Sequence, residues 1–197
     1  MDHSHFFAQL ARMSLISRWA LMRNASQENI AEHSLQVAMV AHMMALIENR
    51  LTGSTIDASK AAVAAMYHDA PEVFTGDLPT PVKYQNPHMA QEYRKLEKMA
   101  EEKLVNMLPE EFREEFSQVI RGDMVDPQIR RIVKDADTMC AYLKCMSELK
   151  ANNTEFANAA ERLRASLDQR AATSPAIPYF EKVFLPSFSK TLDEISF

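Results

Sequence analysis

Residues 29–50 read NIAEHSLQVAMVAHMMALIENR, and this stretch decides the predicted fold. Its apolar side chains recur at roughly helical spacing, at Leu35, Met39, Ala41, Met43, Leu46 and Ile47. The turn-forming residues Thr52-Gly53-Ser54 follow and break the pattern. The sequence therefore predicts one long helix from about Asn29 to Arg50.

Helix signals continue on both sides of this segment. Asp57 can cap a helix from Ala58 to about His68, because an aspartate side chain accepts hydrogen bonds from the free N–H groups at a helix start. Residues 71–81 contain three prolines and a glycine, which exclude a long helix there. Further helices are predicted at about residues 3–16, 87–107, 109–121, 154–171 and 179–195, the last interrupted at Pro186. Another helix is predicted to begin at Asp126-Pro127. Its predicted inner face consists of Ile129, Ile132, Val133, Ala136, Met139, Cys140 and Leu143.

The whole chain has the composition of one ordinary globular domain. Its 197 residues, 47% hydrophobic and 25% charged, are enough for one compact domain and short for two. Only 3 residues are Gly, whereas Ala and Met are abundant, and this balance favours helices over sheets. No run of alternating apolar and polar residues longer than four stands out, so the predicted fold class is all-α, a single-domain helical bundle.

Net charge and terminal sequence limit the partners and the location. The formal net charge of −5 argues weakly against a nucleic-acid polymer, but a mononucleotide needs only a few local cations. Residues 1–7 lack the basic and apolar regions of a signal peptide, and charges interrupt the apolar runs before they reach membrane-spanning length. Cys140 and Cys145 form no CxxC pair and are expected to be reduced core thiols. We therefore expect a cytoplasmic protein that does not bind a membrane.

His68-Asp69 is the most informative pair of residues for function. His33 lies upstream of it and Asp137 downstream, so two imidazoles and two carboxylates on predicted helices could meet inside a bundle. Such a mixed nitrogen and oxygen set suits a divalent transition metal that activates water. Consecutive residues point about 100° apart on an ideal helix, but a helix end before Ala70-Pro71 eases that constraint. Taken singly, His33 also fits a surface or hydrogen-bonded histidine, and Asp137 fits a buried salt bridge.

These four positions form an H…HD…D pattern, and the chain resembles the HD-domain phosphohydrolase superfamily. Within that superfamily it is similar to the bacterial 5′-deoxynucleotidases, essentially from end to end. The similar segments are Ser17-Arg18-Trp19, Leu21-Met22-Arg23-Asn24, Glu72-Val73 and residues 32–38, 66–69, 75–83, 141–145, 186–188 and 192–195.

The resemblance implies an all-helical homodimer in which residues 1–197 form one domain with an HD core at about 28–140. It implies hydrolysis of deoxyribonucleoside 5′-monophosphates to deoxynucleosides and phosphate, with little base preference and with discrimination against ribonucleotides and 3′-phosphates. One divalent cation is implied, with cobalt, manganese or copper among those accepted, and its ligands would be His33, His68, Asp69 and Asp137. Of these ligands, His33, Asp69 and Asp137 would also contact the substrate.

Residues that flank the metal pattern are the candidates for catalysis and substrate binding. Glu72 follows His68 by four, so a continuing helix would place its carboxylate on the same face, where it could transfer a proton. Arg18 offers a guanidinium fork to two phosphate oxygens. Trp19, the only tryptophan, could pack against the deoxyribose where a 2′-hydroxyl would clash. Without the resemblance, an exposed glutamate, a surface arginine and a core tryptophan are the ordinary interpretations.

The proline-stiffened loop after the metal pair is the other candidate for substrate contacts, through Asp77, Leu78, Pro79 and Thr80. Asp77 could accept a hydrogen bond from the 3′-hydroxyl and repel a 3′-phosphate. Lys83 could add positive charge near the phosphate, although lysine is more often a solvated surface residue.

Other functions remain open at this point. A different HD phosphohydrolase could act on dNTPs or cyclic nucleotides, although a triphosphate usually needs more cations than this sequence clusters. A non-catalytic nucleotide-binding regulator would be favoured if a ligand residue or Glu72 were missing, and none is. The remaining alternative is a helical interaction protein without chemistry.

Overall fold

The computed structural model describes residues 3–83 and 86–196, without the side chains of Thr80 and Pro81. Its α-helices are α1 (Phe6–Leu10), α2 (Ile30–Thr52), α3 (Ala58–Tyr67), α4 (Glu72–Thr75), α5 (Thr80–Lys83), α6 (Pro87–Asn106), α7 (Arg113–Ile120), α8 (Pro127–Lys150), α9 (Ala157–Ala171), α10 (Ala176–Val183) and α11 (Leu192–Ser196). Short 3-10 helices lie at Ala11–Leu15, Glu110–Phe112, Thr154–Phe156 and Leu185–Ser189. Those two ranges contain no strand, only one isolated antiparallel bridge between Ser17 and Asn29, and the all-α prediction is confirmed.

Helix α2 is the central helix of the bundle and packs against α3 and α8. It begins with a capping box, in which the Asn29 side chain accepts from the N–H groups of Ala31 and Glu32 while the Glu32 carboxylate accepts from the Asn29 N–H. It ends at Gly53, whose φ of +74° is a left-handed conformation that glycine adopts without steric penalty. The predicted start and end of this helix therefore hold to within about two residues.

The core face of α2 differs from the apolar positions that stand out in the sequence. Ala41 and Ile47 are buried, but the larger side chains are exposed by 37 to 59%, namely Leu35, Met39, Met43 and Leu46. The buried face is made mainly of smaller side chains, namely Val37, Ala38, Ala41 and Ala45, together with Met44 and Ile47. Because the distance between packed helices depends on the side chains at the contact, this small-residue face lets α3 and α8 approach closely.

Helix α8 follows its prediction closely. Asp126 caps it by accepting from the N–H groups of Gln128 and Ile129, and Pro127 occupies its first turn, where no N–H is needed. The predicted inner face is buried from Ile129 to Cys140, and Leu143 is partly buried against the same core.

A buried ionic network joins α2, α8 and α9. The Asp135 carboxylate, 1% exposed, accepts from Arg170 Nη1 at 2.5 Å and pairs with Arg131 Nη1 at 3.3 Å. Arg131 Nη2 also lies 2.7 Å from Glu48 Oε1 on α2. Such pairs matter because a buried charge without a partner is strongly unfavourable. The network therefore ties α8 to α2 through Glu48 and to α9 through Arg170.

The ends of the chain are more segmented than the sequence predicts. The helix expected at residues 3–16 consists of α1 followed by the 3-10 helix Ala11–Leu15, and the C-terminal helix breaks into α10, the 3-10 helix Leu185–Ser189 and α11. Phe6 is fully buried against Phe116, with ring centroids 5.2 Å apart. Tertiary packing of a few such side chains, rather than helix propensity, decides where these short segments stop.

By length and composition α2 could cross a membrane, with a mean hydropathy of 1.3 in its most apolar window. This differs from the expectation that charges interrupt every apolar run before it reaches membrane-spanning length. Half of that window is buried inside the bundle, where α2 contacts α3, α8 and α10. A central helix of a helical bundle needs such a composition to pack on several sides.

Candidate metal centre and its pocket

His33 lies near the start of α2 and is completely buried. Its Nε2 atom lies 3.1 Å from Asp137 Oδ1 on α8 and 3.8 Å from Asp69 Oδ2. The capping box at Asn29 starts the helix just before His33, so the imidazole has a defined direction into the bundle. The sequence pattern therefore brings together residues 104 positions apart.

His68 and Asp69 lie directly after the last residue of α3, Tyr67. His68 Nδ1 lies 2.7 Å from the carbonyl oxygen of Ala65, which can only accept, so this nitrogen carries the proton and Nε2 offers a lone pair. That Nε2 atom lies 3.3 Å from Asp69 Oδ1. Because the chain leaves the helix at this point, the two consecutive side chains can face the same point.

The four residues form a compact cluster of nitrogen and oxygen atoms. Ligand atoms of His33, His68 and Asp69 all lie within 4.8 Å of one another, and Asp137 Oδ1 is 3.9 Å from His68 Nε2. Among the described residues, His68 Nε2 is buried without a hydrogen-bond partner, which is what a metal ligand needs before it binds. Burial would raise the pKa of Asp137, but Lys134 and the two histidines hold it well below its usual value. An ionised carboxylate beside two imidazoles fits a divalent transition metal.

A pocket of about 340 Å³ opens above this cluster and is lined by His68, Asp69 and Asp137. Glu72, the first residue of α4, also lines it and accepts a hydrogen bond from Lys83 Nζ at 3.2 Å. Burial, and then the charge of Asp69, raises the pKa of Glu72 to about 8. The predicted Lys83 is therefore at the site, where Glu72 is its direct partner.

Arg18 and Trp19 occupy different positions relative to the pocket. Arg18 lines the pocket, and its Nη1 atom lies 2.6 Å from Glu28 Oε2. Trp19 is outside the lining found among the described residues and packs against Phe156, with ring centroids 5.3 Å apart. The guanidinium of Arg18 lies 5.8 Å from the Trp19 ring centroid, so the two side chains are still neighbours.

The loop after α4 reaches the pocket through Asp77. Leu78 and Pro79 are partly buried but are outside the lining that the described residues form. The predicted contact of the Thr80 side chain falls outside the described part of the chain. Asp77 is therefore the member of the predicted substrate loop that the pocket geometry supports.

Several charged pocket residues were missed in the sequence. Lys134 Nζ donates to Asp137 Oδ2 at 2.7 Å, and Arg130 lies one turn before it on α8. Glu97 and Glu101, one turn apart on α6, also line the pocket. The spacing of Lys134 three residues before Asp137 could have been recognised, whereas the approach of α6 depends on tertiary packing alone.

Two imidazoles and two carboxylates at the centre of a helical bundle are the arrangement of the HD-domain phosphohydrolases. The fold agrees with such an enzyme from Listeria innocua, at a TM-score of 0.78 and 21% identity over 93% of this chain and 88% of that one. It also agrees with the HD phosphohydrolase of cyanophage S-2L, solved with dA and one catalytic Zn²⁺ ion, at a TM-score of 0.66 and 21% identity over 93% and 96% of the two chains.

Sequence comparison identifies the particular family. Residues 5–188 match the family described as 5′-deoxynucleotidase YfbR-like. The chain is 56% identical over 196 residues to a 5′-deoxynucleotidase of Vibrio vulnificus, with all of both chains covered. It is 55% identical to the 5′-deoxynucleotidase YfbR of Escherichia coli, over all of this chain and 98% of that one. The chain belongs to the family of YfbR-like 5′-deoxynucleotidases.

Proposed function

We propose that this protein is a divalent-metal-dependent 5′-deoxynucleotidase that converts deoxyribonucleoside 5′-monophosphates to deoxynucleosides and phosphate. The observation that carries the proposal is the cluster of His33, His68, Asp69 and Asp137 at the floor of a pocket that also contains Glu72. Full-length identity above one half to named 5′-deoxynucleotidases supports the same reaction. We further propose that residues 1–197 form one domain with its HD core at about 28–140.

The metal would be held by these four residues. A bound divalent cation supplies a lower pKa for an attacking water and withdraws charge from the phosphoryl group. Cobalt, manganese or copper are the proposed ions, because two imidazoles and two carboxylates accept several transition metals. Zinc should be tested beside these ions, since the cyanophage S-2L enzyme of the same fold was solved with one catalytic Zn²⁺ ion.

Glu72 would transfer the proton during hydrolysis. With a pKa raised to about 8, its carboxyl can both accept and release a proton near neutral pH. Lys83 holds Oε1, while Oε2 is buried without a hydrogen-bond partner among the described residues. That free oxygen could take a proton from the water or return one to the departing 5′-oxygen of the sugar.

Arg18, Trp19 and the loop at Asp77 would select the substrate. Arg18, oriented by Glu28, would bind two phosphate oxygens and place the phosphate for catalysis. Trp19 beside it would disfavour a 2′-hydroxyl, and Asp77 would bind the 3′-hydroxyl and repel a 3′-phosphate. Leu78, Pro79 and Thr80 would complete the sugar contacts, and His33, Asp69 and Asp137 would face the phosphate. Contacts limited to phosphate and sugar leave little base preference.

The exposed side of α2 supports a homodimer, which we propose as the assembly. Leu35, Met39, Met43 and Leu46 follow one another by four, four and three residues and so form an apolar stripe on one helix face. A second copy could cover this stripe, because methionine and other apolar residues are enriched in the cores of interfaces. We also propose a cytoplasmic location, in keeping with the free, buried thiols of Cys140 and Cys145.

The proposed activity is tested by phosphate release from ribo- and deoxyribonucleoside 5′-monophosphates, with Co²⁺, Mn²⁺, Cu²⁺ or Zn²⁺ added to metal-free protein. We expect free phosphate from the deoxyribonucleotides and much less from the ribonucleotides. Assays with dNTPs and 3′-monophosphates serve as controls. Triphosphate or pyrophosphate release from dNTPs, or no release with any metal, would contradict the proposal.

A further inference from the structure

Arg18 and Trp19 lie in a loop of residues 17–29, called here the Arg18 loop. The isolated bridge between Ser17 and Asn29 joins its ends, and the Arg18 N–H donates to the Glu28 carbonyl at 2.9 Å. The residues between these ends form turns and bends rather than a helix. The position of the two side chains therefore depends on what the loop contacts elsewhere.

Glu148, in the last turns of α8, binds the tip of the Arg18 loop. Its Oε2 accepts from the Ala25 N–H at 2.7 Å and its Oε1 from the Ser26 N–H at 3.1 Å. The Glu148 side chain is 1% exposed, although it is a carboxylate. A carboxylate is buried at this depth only when hydrogen bonds and cations compensate its charge, so these two contacts specify one loop conformation.

Lys144 and Asn153 complete the anchor and also hold the loop themselves. Lys144 Nζ donates both to Glu148 and to the Ser26 carbonyl. Asn153 Nδ2 lies 2.8 Å from Glu148 Oε2 and 2.6 Å from the carbonyl oxygen of Arg23. N–H groups and carbonyls of the loop tip are thus bound by one cluster at one end of α8.

The same helix carries Asp137, which belongs to the group of four candidate metal ligands, called here the metal cluster (His33, His68, Asp69 and Asp137). Glu148 follows Asp137 by eleven residues on the uninterrupted helix α8. Eleven residues correspond to about three turns, or about 16 Å along the axis, so both carboxylates lie near the same helix face. A single helix therefore sets the distance between the metal cluster and the anchor of the Arg18 loop.

Trp19 has a backbone conformation that needs such support. Its φ is +56°, in the left-handed region that is sterically unfavourable for a bulky side chain. Its carbonyl oxygen accepts from the Met22 N–H at 2.9 Å and from Asn24 Nδ2 at 3.2 Å, and its ring packs on Phe156. The contacts with Met22 and Asn24 lie within the loop, between Trp19 and its tip, so release of the tip would loosen the backbone of Trp19 and leave its ring held only by Phe156.

We propose that Glu148 is a positioning residue that holds the Arg18 loop, and with it Arg18 and Trp19, at a fixed distance from the metal cluster. Within the described part of the chain, the hydrogen-bond partners of Glu148 are all outside the pocket lining, so Glu148 would act through the loop and α8. The consequence for substrate choice rests on the proposed function, in which Arg18 binds phosphate and Trp19 disfavours a 2′-hydroxyl.

The test compares E148Q with E48Q in the full-length protein. Gln at 148 replaces one acceptor oxygen by an NH₂ group that opposes a backbone N–H, and Lys144 loses its charged partner. Glu48 is a matched control, because it is also buried and paired with an arginine but lies outside the pocket lining of the described residues. Since Trp19 is the only tryptophan, its fluorescence reports the position of the loop without any substrate.

For E148Q we expect red-shifted tryptophan emission, stronger acrylamide quenching and faster amide exchange at Ala25 and Ser26. Mn²⁺ affinity, measured by calorimetry, should stay within twofold of wild type. The loss of one charge-assisted positioning contact predicts about a tenfold loss in the preference for dAMP over AMP in kcat/KM. E48Q should change none of these, and if E148Q does not fold, N153A removes the Arg23 contact and should shift emission in the same direction.

Unchanged emission and an unchanged dAMP/AMP ratio in E148Q would overturn the proposal, as would equal changes in E48Q. A loss of Mn²⁺ affinity as large as the loss of kcat/KM would also overturn it, because the defect would then lie at the metal cluster. If wild type releases no phosphate from dNMPs, the proposed function fails, while the emission and exchange results still decide whether Glu148 positions the loop.

Discussion

Acidification should remove the contribution that the ionised Glu148 carboxylate makes to the stability of the fold. Burial raises the pKa of Glu148, but hydrogen bonds from Lys144, Ala25, Asn153 and Ser26 outweigh it and lower the pKa from 4.5 to about 2. A difference of about 2.5 pH units corresponds to about 3 kcal/mol of unfolding free energy. Because the folded pKa is the lower one, this contribution is complete above pH 4.5 and is lost as the pH falls towards 2.

Denaturant unfolding of wild type and E148Q at several pH values measures this contribution. Near pH 7 we expect wild type to be more stable than E148Q by about 3 kcal/mol. At pH 3.5 this difference should be smaller by about 1.4 kcal/mol, because that pH lies about one unit below the pKa of glutamate in the unfolded chain. Other carboxylates titrate alike in both proteins and cancel in the difference. The exposed Glu155 provides a control, since E155Q should show no such gap. A gap that stays constant between pH 7 and 3.5 would refute the reasoning.

Three further predictions concern the pocket. Glu72→Ala should abolish turnover, measured as kcat, but keep metal and nucleotide binding, measured by calorimetry. Glu97→Gln, at another carboxylate of the pocket wall, is the comparison variant. A near-native kcat in Glu72→Ala would exclude Glu72 as the proton-transfer group. Trp19→Ala should relax the deoxy preference, and an unchanged dAMP/AMP ratio of kcat/KM would rule out that role. His68→Ala should lose the metal in elemental analysis, since Nε2 faces the cluster, whereas the exposed His42→Ala should keep it.

Local signals predict most of the fold because they depend on neighbouring residues. Asn29 and Asp126 cap α2 and α8 where the sequence places them, and Gly53 ends α2. The buried face of α2 could not be predicted in the same way, because Leu35 and Met39 are apolar yet exposed. Hydrophobic spacing indicates that a helix has a core face, but the packing of α3 and α8 decides which residues form it.

The candidate site likewise contains residues that the sequence predicts and residues that only the structure reveals. His33, His68, Asp69 and Asp137 are recognisable from residue type and order. Glu72 lines the pocket, but the continuous helix that its spacing assumed is absent, because α3 ends at Tyr67 and Glu72 begins α4. The contributions of α6 to the pocket wall, through Glu97 and Glu101, come from a helix with no sequence signal for the site. Lys134 was visible in the sequence, but only the structure shows that it binds Asp137 Oδ2 while Oδ1 faces the histidines.

By itself, the sequence determined the all-α class and most helix ends and indicated the candidate metal ligands, because each of these follows from local chemistry or from order along the chain. Tertiary structure alone decided that His68 and Asp69 face one point, that Trp19 packs on Phe156 beside the pocket, and that Glu148 binds the Arg18 loop across 123 residues of sequence. The physical reason is that a buried carboxylate or imidazole takes partners from wherever the folded chain brings them, and sequence separation does not encode that distance.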